Sequence, residues 1–303
     1  MAKSNNLKLT LCASIALAGS VLPVLAGQSV VSKEIQQPLV EEAQKSAITG
    51  DIGFNITSQY IDRGMVRENQ GVIGQPYFDL YFNLYEGDGF LNRVSFVLGA
   101  WSSLHSAKTQ QGLAEGRDSS STPAWYEFDY SAGFAFTVAK NLTITPSYIE
   151  FNSPNDAFDT ARAFNIRLDY DDSDLLGAFA LHPHVTYLRE LENKVGTGSS
   201  KGNYYEVGLT PALPAFGPVT VTIPLTAGFG SNRFYATNQG FGYFSGGVNA
   251  AVALDFIPAA YGTWTLNAGA SYYYLNGSLS QANDIQARNN NTFVFNGGLN
   301  LAF

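Results

Sequence analysis

One pair of residues in this sequence has the types needed for nucleophilic catalysis. Ser103 and His105 are two positions apart, so on a β-strand their side chains share a face. A serine beside a histidine that removes its proton is the nucleophile of many hydrolases. The surrounding run lacks the glycine-flanked His-x-Ser pattern that such a hydrolase needs. The sequence therefore favours a polar rim around a pore, with a hydrolase as the alternative.

A second pair has a spacing that metal sites use. His182 and His184 flank Pro183, and two residues of that spacing on one strand point to the same side. The sequence offers no identifiable third ligand, since its remaining histidine is His105 and its single cysteine is Cys12. We therefore predict no metal site and no cofactor. We expect both histidines to line the aqueous interior of a pore.

Charged side chains in segments where apolar and polar residues alternate are candidates for the lining of that interior. Most are carboxylates, and Arg93 and Arg167 are the opposing permanent cations in these strands. The sequence therefore predicts a negative lumen that attracts cations. The candidate lumen-lining residues are Asp79, Arg93, Glu127, Asp129, Arg167, Asp169, His182, His184, Glu206 and Asp255.

The elements that would position these residues are short strands with a period of two. In Tyr77 to Tyr85, apolar Phe78 and Leu84 alternate with polar Asp79 and Asn83. Segments of this kind recur from Gly50 onward at about ten residues each, the length of a tilted strand that crosses a bilayer. We predict an all-β protein, a transmembrane antiparallel up-and-down β-barrel of about twelve strands. A soluble β-sandwich is the alternative that periodicity alone leaves open.

The lengths of the connections predict which end of the barrel faces which side of the membrane. Short periplasmic turns are expected at 86–89, 139–141 and 171–174, and long extracellular loops at 106–123, 191–203 and 276–291. The uncharged run 207–232 is long enough for a membrane helix, but it contains four prolines. We therefore expect two strands there, joined by a proline-rich turn.

Both composition and the amino-terminal sequence indicate export. Lys3 and Lys8 precede an apolar stretch that ends in Val24-Leu25-Ala26, which is the pattern of a cleaved secretory signal. We expect residues 1–26 to be the signal peptide, 27–49 a periplasmic amino-terminal segment and 50–303 an outer-membrane β-barrel. The chain has 25 acidic against 17 basic residues, so nothing favours a nucleic-acid partner.

Aromatics at strand ends, among them Tyr60, Tyr126 and Tyr204, are expected at the lipid interfaces.

The last strand carries a feature of its own. Phe293, Phe295, Leu299, Leu301 and Phe303 fall on one face up to the final residue. A terminal aromatic in phase with the apolar face looks like the carboxy-terminal signature that the outer-membrane assembly machinery reads. We therefore assign Phe303 as the assembly signal.

Three motifs in the first third of the expected barrel resemble a known family. They are the run Ile56 to Met65 with its Tyr-x-x-Arg-Gly turn, the Gln75-Pro76 strand and the Gly-x-Trp-x-Ser strand from Gly99 to Ser103. Together they resemble the amino-terminal part of the TorF-like putative porins. The resemblance implies a porin and makes Arg63 a candidate residue of the extracellular mouth, whereas Met65-Val66-Arg67 departs from the family pattern.

The sequence thus predicts a porin or channel of the bacterial outer membrane. It would pass small hydrophilic solutes passively and with weak selectivity, and it would not be an enzyme. Its expected partners are outer-membrane lipid, the assembly machinery and the solutes themselves. The alternatives are a phospholipase-like outer-membrane hydrolase and a structural barrel with a closed lumen.

Overall fold

A computed structural model describes residues 47–107, 124–198, 200–236, 240–277, 279 and 290–303. The expected signal peptide and nearly all of the segment 27–49 lie outside the described residues. The first strand begins at Ile48, two positions before the expected start of the barrel. Within the described residues, no helix has the length and apolar character needed to cross a membrane.

The described chain is built almost entirely of strands. In chain order they are β1 Ile48–Thr57, β2 Tyr60–Asp62, β3 Met65–Glu68, β4 Ile73–Glu86, β5 Leu91–His105, β6 Trp125–Val138, β7 Leu142–Asn152, β8 Ala161–Tyr170, β9 His184–Glu192, β10 Asn203–Leu209, β11 Ala212–Phe216, β12 Val219–Thr222, β13 Leu225–Gly230, β14 Phe241–Ala253, β15 Thr263–Leu275 and β16 Asn291–Ala302.

Twelve of these strands close into one ring. The order around it is β1, β4, β5, β6, β7, β8, β9, β10, β13, β14, β15 and β16, and β16 pairs again with β1. Every neighbouring pair is antiparallel. The predicted all-β, twelve-stranded antiparallel barrel is therefore confirmed. The strands β2 and β3 form a separate two-stranded sheet.

The proline-rich run is a hairpin, as the sequence predicts. β10 continues into β11 after Pro211, and β12 continues into β13 after Pro224. A turn at Gly217 and Pro218 joins the two arms. Because proline has no N–H to donate, the ladder is interrupted at both sites and the arms are divided into shorter strands.

Side chains on one strand alternate between the outside and the interior of the ring. On β4, Phe78 and Leu84 are 40% and 60% exposed, whereas Asp79 and Tyr81 are 6% and 5% exposed. The sequence predicts the same assignment of faces, with the polar side chains inside the ring. The expected interfacial position of Tyr60, Tyr126 and Tyr204 is wrong, because all three are buried in the interior.

One expected short turn is wrong. The chain between β8 and β9 spans residues 171–183 and contains a single-turn helix, Ser173–Leu176, and a 3-10 turn, Gly177–Phe179. The Asp172 carboxylate accepts backbone hydrogen bonds from Leu181 and His182, and these bonds stabilise the longer connection. This turn lies at the same end of the barrel as the start of β1 and the end of β16, which we call the terminal end. The other end is the loop end.

The carboxyl-terminal residue takes part in closing the ring. The N–H of Phe303 donates to the carbonyl of Gly50 at 3.0 Å, and the N–H of Gly50 donates to the carbonyl of Phe303 at 2.9 Å. The ladder continues from Asp51 opposite Ala302 to Thr57 opposite Asn296. Phe303 thus completes the first and last strands at the terminal end.

The alternation predicts opposite outcomes for two neighbouring residues. Leu80→Arg places a cation on the outer face and should lower the free energy of unfolding in lipid by roughly 2 to 4 kcal/mol, whereas Asp79→Asn changes only the interior. The measurement is reversible unfolding in lipid vesicles, with the parent as reference. Equal losses for both variants would contradict the assigned faces.

Phe303→Ser should slow membrane insertion without preventing export, because it removes the aromatic ring that ends the apolar face of β16. The measurement is the rate at which the heat-modifiable, folded form accumulates in outer-membrane fractions. Phe293→Ser, on the same face at the other end of the strand, is the matched control. Insertion at the parent's rate would remove the role of Phe303 in assembly.

Candidate functional site

The interior wall of the barrel carries many polar side chains, together with an apolar cluster that includes Val97, Ile149, Phe151 and Leu188. Each strand contributes every second residue to it, and these side chains are buried while their neighbours face outward. Representative buried polar residues are Asp79, Ser95, Asn165, Asp169, Asn249 and Thr265. A soluble sandwich would place apolar side chains at such positions. This wall has the chemistry of an aqueous lumen.

Seven of the ten expected lining residues lie in this interior. Arg167 contacts Asp169, with Nη2 to Oδ1 at 2.8 Å. Glu206 accepts hydrogen bonds from the hydroxyls of Tyr204 at 2.5 Å and Tyr243 at 2.8 Å. The seven are Asp79, Glu127, Asp129, Arg167, Asp169, His184 and Glu206.

The other three do not line the wall. Arg93 is 46% exposed near the start of β5, beside the β4–β5 turn, and pairs with Glu86 at 3.7 Å. Asp255 follows the end of β14 and is exposed in a turn at the terminal end. Both side chains therefore lie at the rim of the barrel, where water screens their charge.

His182 and His184 do not share a strand face. β9 begins at His184, while His182 precedes the strand with a φ of 46° and lies 3.7 Å from Asp171. The left-handed backbone at His182 breaks the period of two on which the pairing depends. Among the described residues, no group of three or more His, Cys, Asp or Glu side chains could hold a metal ion.

A hairpin occupies the interior near the loop end. β2 and β3 belong to the connection between β1 and β4, and they fold into the barrel instead of projecting from it. Tyr60, Ile61, Asp62, Met65 and Glu68 are all buried. We call the segment Tyr60–Glu68 the plug hairpin.

The plug hairpin reaches from one side of the barrel to the other. On the side where the hairpin follows β1, the hydroxyl of Tyr60 donates to Glu127 on β6 at 2.8 Å. On the far side, the guanidinium of Arg63 lies over the rings of Phe151 on β7 and Tyr204 on β10, at 5.2 and 5.8 Å. Arg63 therefore lies inside the ring at the level of the loop-end residues of β7 and β10, and its role at the extracellular mouth stays a prediction.

Other connections at the loop end also contact the plug hairpin. Arg67 donates from Nη2 to the carbonyl of Val195 at 2.7 Å, and Tyr235 donates to the carbonyl of Arg63 at 2.7 Å. At the tip, Gly64 has a φ of 81° and packs against Tyr243 on β14. A hairpin turn with positive φ favours glycine, so the Arg63-Gly64 pair suits this tip.

The two arginines of the plug hairpin share one carboxylate. Asp62 pairs with Arg63 at 2.6 Å and with Arg67 at 3.0 Å. Burial lowers the pKa of each arginine, but the surrounding acidic groups, with Asp62 the largest contributor among them, together raise it by more, and the pKa of each lies above its usual value. Burial raises the pKa of Tyr60 well above its usual value, and the charge of Glu127 raises it further. Both arginines therefore stay cationic and Tyr60 stays neutral.

Ser103 and His105 are brought together, with a third group behind them. Ser103 Oγ lies 2.8 Å from His105 Nε2, and His105 Nδ1 lies 3.7 Å from Glu68 Oε2 on the plug hairpin. The order is that of a Ser-His-acid triad. However, Ser103 is 0% exposed and the His105 ring stacks on Tyr126 at 4.5 Å. The arrangement ties the hairpin to β5 and leaves no approach for a substrate.

Sequence reasoning missed the plug hairpin and its partners. The alternation of strands does not identify Asp62, Glu68 or Tyr235 as interior residues, although an inward fold of Arg63 and Arg67 from the first loop is an alternative that the sequence leaves open. A local signal exists, because the segment from Tyr60 to Glu68 contains two carboxylates, two arginines and the apolar residues Ile61, Met65 and Val66. Nothing in that segment alone shows that it folds inward.

The comparisons with known proteins concern the fold. An outer-membrane channel from Pseudomonas putida is 12% identical, with 88% of this chain and 99% of that chain covered and a TM-score of 0.50. A NanC porin is 10% identical, with coverage of 84% and 98% and a TM-score of 0.44. A KdgM porin in complex with disordered oligogalacturonate is 8% identical, with coverage of 84% and 99% and a TM-score of 0.45. No family model and no curated protein matches this chain. At 12% identity, the Pseudomonas putida channel shows a shared barrel fold and no more.

The burial of Ser103 predicts that the protein has no esterase or lipase activity. The purified parent and its Ser103→Ala variant should hydrolyse phospholipid vesicles and a soluble ester at the same background rate, because a buried hydroxyl cannot reach a carbonyl carbon. The assay is release of free fatty acid. Hydrolysis by the parent that Ser103→Ala abolishes would establish the triad as an active site.

Proposed function

We propose that this protein is a channel of the bacterial outer membrane for small hydrophilic solutes. The observation that carries the proposal is the placement of side chains in a closed barrel, which is the reverse of that in a soluble β-protein. Apolar residues such as Phe78 and Leu84 face outward, whereas carboxylates such as Asp79 and Asp169 face inward. A bilayer around the barrel and water within it satisfy both faces.

The orientation of the barrel is part of the proposal. Its terminal end would face the periplasm and its loop end the outside, as in other barrels of this class. The expected signal peptide and the role of Phe303 as assembly signal are consistent with this route. The TorF-like resemblance is also part of the proposal, and it depends on the motifs between Ile56 and Ser103, since no family model matches the chain.

The charges of the wall support a preference for cations. Among the buried strand residues that the structure describes, Arg167 is the only arginine or lysine, and the buried strand carboxylates outnumber it. Within the plug hairpin, Asp62 and Glu68 balance Arg63 and Arg67. The net interior charge is therefore negative, and low-dielectric walls focus its field on mobile ions. A passive, weakly cation-selective channel follows, with no covalent chemistry and no cofactor.

Recording in a planar bilayer tests the channel. The purified, folded protein should give discrete conductance steps, and the same preparation after heat unfolding should give none. Absence of steps from a folded protein, together with absence from the deletion variant described in the next section, would leave a structural barrel with a closed lumen as the function.

The open channel should pass potassium in preference to chloride, most strongly at low salt, where screening is weakest. Glu127→Gln combined with Asp129→Asn should reduce that preference, because both carboxylates face the interior. The measurement is the reversal potential across a potassium chloride gradient. The control is Asp156→Asn with Asp159→Asn, which removes the same charge from exposed positions of an outer loop. A channel that prefers chloride, or one that ignores the interior pair, would contradict the proposal.

A further inference from the structure

We propose that the plug hairpin is a displaceable gate, and that solutes pass when it leaves the interior near the extracellular end. This inference rests on the proposed function, because a gate has meaning only in a channel. Its starting point is the path of the hairpin across the lumen. Contacts with β6, β7, β10 and β14 place one segment against opposite parts of the ring, so its position decides whether the upper lumen is open.

The plug hairpin is attached by side-chain contacts and not by a β-ladder. Its strands of three and four residues pair only with each other, and an isolated hairpin of this size is only marginally stable. Its bonds to the wall and loops come from single groups such as Tyr60, Arg67 and Tyr235. Breaking them leaves every hydrogen bond of the twelve-strand ring intact. Displacement therefore does not require the barrel to unfold.

The wall behind the plug hairpin combines buried acidic groups with apolar side chains such as Phe151 and Leu188, which belong to the same cluster as Ile61 and Met65. Glu127 and Asp129 on β6 and Glu206 on β10 are buried there. Neither carboxylate oxygen of Asp129 accepts a hydrogen bond from the described residues, and Glu127 is its acidic neighbour on the same face. Burying a carboxylate without donors is costly. Water that enters when the hairpin leaves would hydrate Asp129, which stabilises the displaced state relative to the closed one.

The ends of the plug hairpin allow such a movement. Thr57 and Ile73 are paired in the β1–β4 ladder, so the wall stays joined below the hairpin. Residues 58–59 lead into it and residues 69–72 lead out, with Gly71 at a φ of 69°. Ser58 and Gln59 are bonded to β16, so movement of the hairpin requires release of the Gln59 contacts and backbone rotation in residues 69–72, without a change in the register of β1 or β4.

A reversible disulfide tests the gate directly. A Cβ built on Gly64 lies 3.1 Å from the Cβ of Tyr243, shorter than the separation of about 3.8 Å in a disulfide, so the bridge forms after a small outward shift of the hairpin tip. The variant is Gly64→Cys with Tyr243→Cys in a chain that also carries Cys12→Ser. The oxidised protein should give little conductance, and adding reductant to the same bilayer should restore it. Each single cysteine variant, treated alike, is the control.

Two further variants make the result independent of that disulfide. Deleting residues 60–68 leaves 58–59 and 69–72 to join Thr57 to Ile73, and should give a permanently open channel. Tyr60→Phe with Tyr235→Phe removes two hydroxyl contacts of the closed hairpin and should raise the open probability roughly tenfold, given the usual strength of such bonds. Tyr205→Phe, on the outer face of β10, is the matched control and should leave the open probability unchanged.

The outcomes separate the gate from the proposed function. Conductance that is equal in the oxidised and reduced states overturns the gate. Conductance from the deletion variant alone, with the parent and the reduced disulfide variant silent, shows a fixed plug and also overturns the gate. A deletion variant that folds but conducts nothing overturns the proposed channel itself. Closure on oxidation, recovery on reduction and an open deletion variant together support the gate.

Discussion

The ladder between β1 and β16 is the interaction on which the other features of this structure depend. A bilayer offers no partner to a backbone N–H or C=O, so a sheet that spans it must have no free edge. Here the first strand of the ring bonds to the last, from Asp51 opposite Ala302 to Thr57 opposite Asn296. Gly50 and Phe303 add two bonds beyond that ladder. The carboxyl terminus is therefore a structural element of the barrel and not a loose end.

Closure creates two environments that a single strand must satisfy at once. Outward positions meet lipid, and inward positions meet other side chains and water. The inward positions carry carboxylates, amides and hydroxyls. Several of these groups have polar partners: Asp169 pairs with Arg167, and Glu206 accepts hydrogen bonds from two tyrosines. Aromatic residues follow the same division. Phe90 and Tyr261 are exposed near the terminal end, while Tyr204 and Tyr243 are inside.

The plug hairpin gives the interior a second layer near the loop end. It brings its own ion pairs, so Arg63 and Arg67 enter with Asp62 already beside them. Its presence also explains why a serine, a histidine and a glutamate form a line resembling a triad. Glu68 arrives on the hairpin, and His105 connects it to Ser103 on β5. The same geometry that suggests catalysis thus serves to hold the hairpin against the wall.

What the sequence determined by itself is the part that follows from local geometry. Side chains of a strand alternate because successive Cβ atoms point to opposite faces, so the interior placement of Asp79, Glu127 and Asp169 could be predicted from spacing alone. The number of strands followed from counting such segments and the turns between them. Prediction failed at strand ends and where the period is interrupted: Arg93 lies beside the β4–β5 turn, His182 has a left-handed backbone, and Asp255 follows the end of β14.

Only the tertiary structure decided where the first loop goes. The contacts of Tyr60 with Glu127, of Arg67 with Val195 and of Tyr235 with Arg63 join residues far apart in the chain. No local pattern encodes such contacts, because each depends on the curvature of the closed ring and on the lengths of several loops together. The sequence therefore specified a barrel with a polar interior, whereas the folded ring alone determined that part of the first loop occupies it.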